Sequence, residues 1–176
     1  MAATVQLRIT YGAAPGTVEE KHALNIPLLS SDVGADGVNP SDHPIQIPSQ
    51  VGETNYSYER YIQFYVADID TSLHINNIRF FTDSTELIPG STLYAQVKSK
   101  DSYTAPVDTD EAGSTVAEGS IVPTTEAEAV SITVPDDGNL TTGEYSNFLV
   151  LQLALPYGST NSGGSTNIYF VYDEVA

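Results

Sequence analysis

The spacing of apolar and polar residues along the chain is that of β-strands, and it predicts almost no helix. Val5, Leu7, Ile9 and Tyr11 alternate with polar neighbours, which is typical of a strand with one buried face. Later segments rich in β-branched and aromatic residues predict further strands. These segments cover residues 58–67, 73–82, 92–99, 130–134, 148–155 and 167–174.

The segment after the first strand allows two interpretations. Thr17 and Glu20 have the spacing of a capping box and could begin one short turn of helix. Residues 22–29 alternate between apolar and polar, and Pro27 would stop a helix. Because proline is tolerated at sheet edges, we favour an edge strand over residues 22–29.

About eight strands without crossover helices predict an all-β fold, an antiparallel β-sandwich of jelly-roll or immunoglobulin-like type. Residues 148–155 are apolar on both faces except at Gln152, so we expect a central strand there. A length of 176 residues suits a single domain over residues 1–176. Residues 30–55 and 100–128 are predicted to be long loops, which in compact domains are usually functional or disordered.

The net charge of the chain limits which partners it can bind. The chain carries 23 acidic and six basic residues, for a formal net charge of −17. Such a surface repels phosphate groups, so we expect no nucleic-acid partner and no anionic membrane partner. High net charge also keeps a protein soluble. A halophilic origin would give an acidic chain too, but a charged fraction of 16% is low even for an ordinary domain.

Absent residue types narrow the chemistry further. The chain has no cysteine, which excludes disulfides, thiolate metal sites and a cysteine nucleophile. Its first residues have neither the charged nor the apolar region of a signal peptide. No apolar run approaches the roughly 20 residues of a membrane span.

The candidates for catalysis are few. His22, His43 and His74 are the available bases, but no Gly-x-Ser-x-Gly motif accompanies them. Asp68 and Asp70 share one side of an extended chain and could form the carboxylate pair of a glycosidase. The absence of tryptophan weakens that hypothesis, and turn hydrogen bonds would explain both carboxylates. We therefore predict no catalytic residues and no enzyme activity.

Two acidic clusters are candidates for calcium, because calcium takes oxygen ligands from such loops. They comprise Asp32, Asp36, Asn39 and Asp42, and then Asp108, Asp110 and Glu111. Neither cluster has EF-hand spacing, so we expect solvated loops. Residues 158–164 are rich in glycine but lack the lysine of a phosphate-binding loop. The prediction is therefore no metal site and no cofactor.

The C-terminal part of the chain carries a resemblance. Residues 148–156 (FLVLQLALP), a Gly-Ser-Thr loop and residues 168–174 (IYFVYDE) resemble the closing hairpin of small β-sandwich virion structural proteins of tailed bacteriophages. Residues 61–65 (YIQFY) and 77–81 (NIRFF) are similar in texture. The resemblance covers a minor part of the chain, and no functional residue is carried over from it.

The resemblance implies a capsid decoration (cement) protein, localised to the virion exterior and made in the host cytoplasm. Its expected partners are the major capsid protein or other virion proteins, and we expect it to form a homo-oligomer. A component of the neck, tail or fibre is an alternative. A carbohydrate- or cell-surface-binding β-sandwich module is another. None of these roles requires an active site, since a lattice protein works by symmetric contacts.

The distribution of charge predicts where such a protein would dock. Residues 1–100 contain 11 acids and all six bases, whereas residues 101–176 contain 12 acids and no base. We therefore expect the docking surface on the less acidic side, formed by the N-terminal part. The loops over residues 30–55 and 100–128 are expected to add contacts, because loops on a rigid scaffold commonly carry binding.

Overall fold

The computed structural model describes residues 2–21, 45–110, 121–134, 137–160 and 164–176, with the side chains of residues 19–21 left out. These residues form nine β-strands and one turn of 3-10 helix at Glu126–Glu128. The strands are β1 Thr4–Tyr11, β2 Thr17–Lys21, β3 Thr54–Tyr56, β4 Arg60–Asp68, β5 His74–Thr82, β6 Thr92–Lys98, β7 Val130–Ser131, β8 Phe148–Pro156 and β9 Ile168–Val175.

Six strands form a large antiparallel sheet around β8. From one edge, the strands of this sheet follow in the order β2, β1 and β4, and β4 pairs in turn with β8. Ala154 of β8 faces Tyr56 of β3 on one edge and Thr92 of β6 on the other. Strands β3 and β4 therefore share one edge of β8, and β6 lies along the opposite edge.

The other three strands form a small antiparallel sheet in the order β7-β5-β9. A register shift interrupts the pairing of β5 with β9 between Asn76 and Arg79. At this bulge Asn77 has a φ of 50°, a left-handed conformation that asparagine tolerates better than most residues. The extra residue lets Ile75 and Ile78 both point into the core, although three positions separate them.

One apolar core joins the two sheets. Phe64 of the large sheet contacts Phe170 and Tyr172 of β9, with ring centroids 6.4 Å and 5.1 Å apart. Phe170 also contacts Phe80 of β5 at 6.4 Å. The arrangement is sandwich-like, since the inner faces of both sheets supply this core. Its fully buried members include Ile62, Val66, Ile75, Ile78, Leu93, Leu149, Leu151 and Leu153.

The all-β prediction is confirmed as two antiparallel sheets, and β8 is a central strand buried along almost its whole length. The capping-box alternative is wrong, because Thr17–Lys21 forms β2. The structure assigns only Val130–Ser131 to the strand expected over residues 130–134. The edge strand expected over residues 22–29 lies outside the described residues. The jelly-roll or immunoglobulin-like type and the single domain remain predictions.

The structure describes only part of each of the two predicted loops. Residues 30–44 and 111–120 lie outside the described residues. Strand β3 occupies the end of the first predicted loop. In the second, Ile121 bridges to Tyr94 of β6, and the adjacent Val122 is buried in the core. Part of this segment therefore belongs to the folded body.

Shortening Leu151 tests the core around β8. Leu151 is fully buried, and its neighbours in the sheet are Arg60 and Ala95. We expect Leu151→Ala to lower the free energy of unfolding by about 2–5 kcal/mol, the usual range for a large-to-small core change. Denaturation in urea measures this. Val51→Ala is the control, because Val51 is 84% exposed and should change stability by less than about 0.5 kcal/mol. Equal effects of the two changes would contradict the described core.

Candidate functional site

The candidate site lies on the outer face of the large sheet, the face that points away from the shared core. Along β4, Ile62, Phe64 and Val66 point into the core. Tyr61 and Gln63 point the other way and are nevertheless buried, with exposed fractions of 0% and 3%. Since a strand alternates its side chains between two faces, a second layer must cover the outer face.

That layer is supplied by residues 99–110, which we call the crossing segment. Tyr103 packs edge-on against Tyr61, with ring centroids 4.9 Å apart, and tilts towards Phe148 at 6.0 Å. Its hydroxyl donates a hydrogen bond of 2.7 Å to the carbonyl of Gly12. A Cβ at Gly16 would lie 2.7 Å from the Tyr103 ring, so glycine is needed there to let the ring approach.

A buried ion pair anchors the crossing segment to the sheet. Glu59 is 1% exposed, and its Oε1 lies 2.9 Å from Nζ of Lys98. The other carboxylate oxygen accepts from the Tyr61 hydroxyl at 3.2 Å and from the Val107 amide at 3.4 Å. The Glu59 amide in turn donates to the Val107 carbonyl at 3.0 Å. With these partners, Glu59 links the end of β6 and the crossing segment to the start of β4.

The pKa of Lys98 reflects this environment. Burial disfavours the charged ammonium, but its hydrogen bonds to Tyr61 and Glu59 outweigh that effect and raise the pKa. The ammonium thus stays protonated and balances the carboxylate, as a buried charge requires.

Gln152 explains the polar interruption in the apolar run of β8. It is fully buried, and its side-chain nitrogen donates to the carbonyls of Ser57 at 2.9 Å and Thr109 at 2.6 Å. A third carbonyl, that of Val107, lies 3.4 Å away. Gln152 therefore links the carbonyl of Ser57, just before β4, to carbonyls of the crossing segment, and these bonds satisfy its own buried amide.

Beside the crossing segment, cations and tyrosine rings lie together. The Arg8 guanidinium carbon lies 4.4 Å from the ring centroid of Tyr145 and 5.4 Å from that of Tyr65. Nζ of Lys100 lies 5.8 Å from the Tyr145 centroid. We call Arg8, Tyr65, Lys100 and Tyr145 the tyrosine–cation patch. All four side chains are half-buried, and each cation is within the range of cation–π attraction.

The outer face concentrates positive charge. Arg8, Lys98 and Lys100 are three of the six basic residues in the chain, and all three lie here. Nζ of Lys98 pairs with Glu59 at 2.9 Å, and Nζ of Lys100 lies 3.9 Å from the exposed carboxylate of Asp101. Arg8 and Lys100 are the cations of the patch. Arg8, Lys98 and Lys100 all belong to residues 1–100, whereas Tyr145 comes from the more acidic part of the chain. That the docking surface lies on this side stays a prediction.

Of the sequence candidates for catalysis, only His74, Asp68 and Asp70 lie within the described residues. His74 begins β5 and is half-buried, while His22 and His43 lie outside the described residues. Asp70 is exposed and accepts hydrogen bonds from the amide and hydroxyl of Ser72 at 2.9 Å and 2.8 Å. These bonds lower the pKa of Asp70. The turn explanation is therefore confirmed for Asp70.

Among the described residues, no group of three or more His, Cys, Asp or Glu side chains could hold a metal ion. Asp108 and Asp110 are exposed at the end of the crossing segment. The remaining candidate ligands Asp32, Asp36, Asn39, Asp42 and Glu111 lie outside the described residues, as do residues 161–163 of the glycine-rich loop.

Sequence reasoning missed the buried polar network of Glu59, Lys98 and Gln152. One indication was present in the sequence. Tyr61, Gln63 and Tyr65 alternate with core residues, and large side chains on both faces of a strand often indicate that both faces are covered. Gln152 within an apolar run was another. The identity of the cover was hidden because it is formed by a segment distant in sequence.

Comparison of the chain with protein-family models, with curated protein sequences and with solved structures finds no significant match. Within the described part of the chain, no helix has the length and apolar character needed to cross a membrane.

Alkaline unfolding tests the attachment of the crossing segment. Burial raises the pKa of Tyr103 to about 12, and nearby Tyr61 and Glu59 add to this effect. Because the unfolded chain loses the phenol proton near pH 10 and the folded chain does not, stability should fall as the pH rises from 10 to about 12.

Tyr103→Phe removes both the titration and the hydrogen bond to Gly12. We expect a loss of about 1 kcal/mol at pH 7, the usual value for one hydrogen bond, and a shallower decline of stability above pH 10. Urea denaturation across pH 7 to 12 measures both. Tyr157→Phe is the control, since Tyr157 is 47% exposed. An unchanged alkaline slope in Tyr103→Phe would contradict the described packing.

Proposed function

We propose that this chain is a non-enzymatic structural protein of a virus particle, a decoration (cement) protein that binds the outside of a phage head. The fold we propose for it is a β-sandwich of jelly-roll or immunoglobulin-like type. The observation that carries the proposal is the tyrosine–cation patch, a cationic and aromatic surface in a chain with a net charge of −17.

The composition of the patch suits a protein interface. Tyrosine and arginine are enriched in interfaces and among the residues that dominate binding energy. Arg8 and Lys100 are held over tyrosine rings, so their charged groups are positioned before a partner arrives. Because these side chains are already ordered, binding through them costs less side-chain entropy than binding through mobile ones.

The acidic remainder of the chain would orient this docking. A partner surface that presents carboxylates is repelled by the net charge of the molecule and attracted by the patch. Electrostatic complementarity of this kind selects one encounter orientation and suppresses others. The expected partner is therefore an acidic area of the major capsid protein or of another virion protein. Placement in the neck, tail or fibre would use the same surface.

The buried polar groups support a structural role. Glu59 and Gln152 hydrogen-bond to the backbone of the crossing segment, and Lys98 holds the Glu59 carboxylate in place. A firmly covered sheet is a rigid body, which a repetitive lattice needs in order to repeat one contact many times.

Particle composition tests the proposal. We expect purified virions of the phage that carries this gene to contain the chain in a fixed ratio to the major capsid protein. Quantitative mass spectrometry measures that ratio, and biotinylation of intact heads should label the chain. A chain recovered only from the lysate, or labelled only after the heads are opened, would contradict a place on the exterior.

Lys100→Gln tests the docking surface. Lys100 and Arg79 are a matched pair, with exposed side-chain fractions of 27% and 29%, on the outer faces of opposite sheets. We expect Lys100→Gln to weaken binding to particles that lack the chain by about fivefold, the factor for roughly 1 kcal/mol. Arg79→Gln should leave binding unchanged. Titration by sedimentation measures both, and equal effects would place the docking surface elsewhere.

A further inference from the structure

An aromatic pair lies on the outer face of the small sheet, on the opposite side of the molecule from the tyrosine–cation patch. Phe81 of β5 and Tyr169 of β9 are direct cross-strand neighbours. Their rings are stacked, with centroids 5.0 Å apart and planes inclined by 21°. Phe81 covers one face of the Tyr169 ring, yet Tyr169 remains 39% exposed. Because the two rings face each other, the surface open to solvent is the side of the Tyr169 ring that points away from Phe81, and we call the pair the platform.

Polar groups border one end of this platform. The side-chain amide of Asn167 donates to Oδ2 of Asp83 at 2.7 Å, and both residues are exposed. A hydrogen bond to Asp83 leads the causes that raise the pKa of Tyr169, which places its hydroxyl at the same carboxylate. A carboxylate has about four acceptor positions, so these two bonds leave acceptors of Asp83 open to a ligand.

The other end of the platform is also polar. Arg79 precedes Phe81 by two positions on the same face of β5, and its guanidinium lies 3.9 Å from the carboxylate of Glu126. The Glu126 carboxylate partly offsets the charge of Arg79, as Asp101 does for Lys100 on the other sheet. The platform is bordered by acceptors and donors on both sides, without a surplus of positive charge.

We infer that the Phe81–Tyr169 platform binds an uncharged saccharide. The C–H face of a pyranose ring matches a stacked aromatic surface, and its peripheral hydroxyls need the acceptors and donors that Asp83 and Asn167 supply. Anionic sugars are disfavoured by Asp83 and by the net charge of −17. Addition of a peptide strand to β9 is disfavoured by Asp173 and Glu174, because charged residues protect strand edges.

This site is independent of the proposed docking to a capsid. Because the two outer faces point in opposite directions, a molecule docked through the tyrosine–cation patch would present the platform to solvent. The platform would then bind saccharide on the assembled particle as well as on the free chain.

The test uses the whole chain and a panel of neutral oligosaccharides built from glucose, galactose, mannose and N-acetylglucosamine. Immobilised panel members identify the best ligand, and calorimetric titration then measures its affinity. Tyr169→Ala is compared with Tyr157→Ala, which removes a tyrosine of similar exposure elsewhere, 47% against 39%. We expect Tyr169→Ala to weaken binding about tenfold or more, and Tyr157→Ala to leave it unchanged.

A second variant separates recognition from folding. Asp83→Asn keeps the size of the side chain but exchanges an acceptor for a donor, and we expect it to weaken binding without altering urea denaturation. Binding of no panel member would overturn the inference, as would equal affinity of Tyr169→Ala and the unaltered chain. Concentration-dependent self-association that Tyr169→Ala abolishes would also overturn it, since the platform would then contact a second copy. None of these outcomes affects the particle-binding proposal, which depends on Lys100.

Discussion

Strand β8 is apolar on both faces, and water must be kept from each of them. The inner face is covered by the small sheet, through Phe170 and Tyr172 of β9 and the core residues of β5. The outer face has no second sheet among the described residues, and the crossing segment covers it instead. This demand for two covers determines how the middle of the chain is used, because burial of apolar area is the main favourable term in folding.

A cover made of irregular chain brings its own requirement. Its backbone carbonyls and amides must find partners once they leave water. Gln152 and Glu59 meet part of that requirement, and Lys98 holds the Glu59 carboxylate. Tyr103 adds an aromatic anchor with one hydrogen bond. The burial of Glu59 and Gln152 is thus explained by the structure of the cover.

The same arrangement separates two surfaces of different character. The outer face of the large sheet gathers three of the six cations, and tyrosine rings lie beside them. The outer face of the small sheet carries the stacked Phe81 and Tyr169 with a rim of carboxylate and amide. A two-faced molecule of this kind suits a protein that is held on one side and open on the other, which is the arrangement proposed for a decoration protein.

By itself, the sequence determined the class of fold and the position of most strands. The alternation in residues 4–11 corresponds to β1, that in residues 58–67 to β4, and the apolar run at 148–155 to β8. These strands are visible in the sequence because the period of two is a local property that side-chain burial imposes directly. The charge asymmetry was equally plain from composition.

Only the tertiary structure decided what covers β8, why Gln152 is buried there, and which residues meet on each outer face. Arg8 and Tyr145, or Phe81 and Tyr169, are far apart in the chain, so no local pattern signals their contact. The bulge at Asn77, which moves Ile75 and Ile78 onto one face, also breaks the period on which sequence reasoning depends. Pairing between distant strands is set by the packing of the whole core, and it is visible only when the core is assembled.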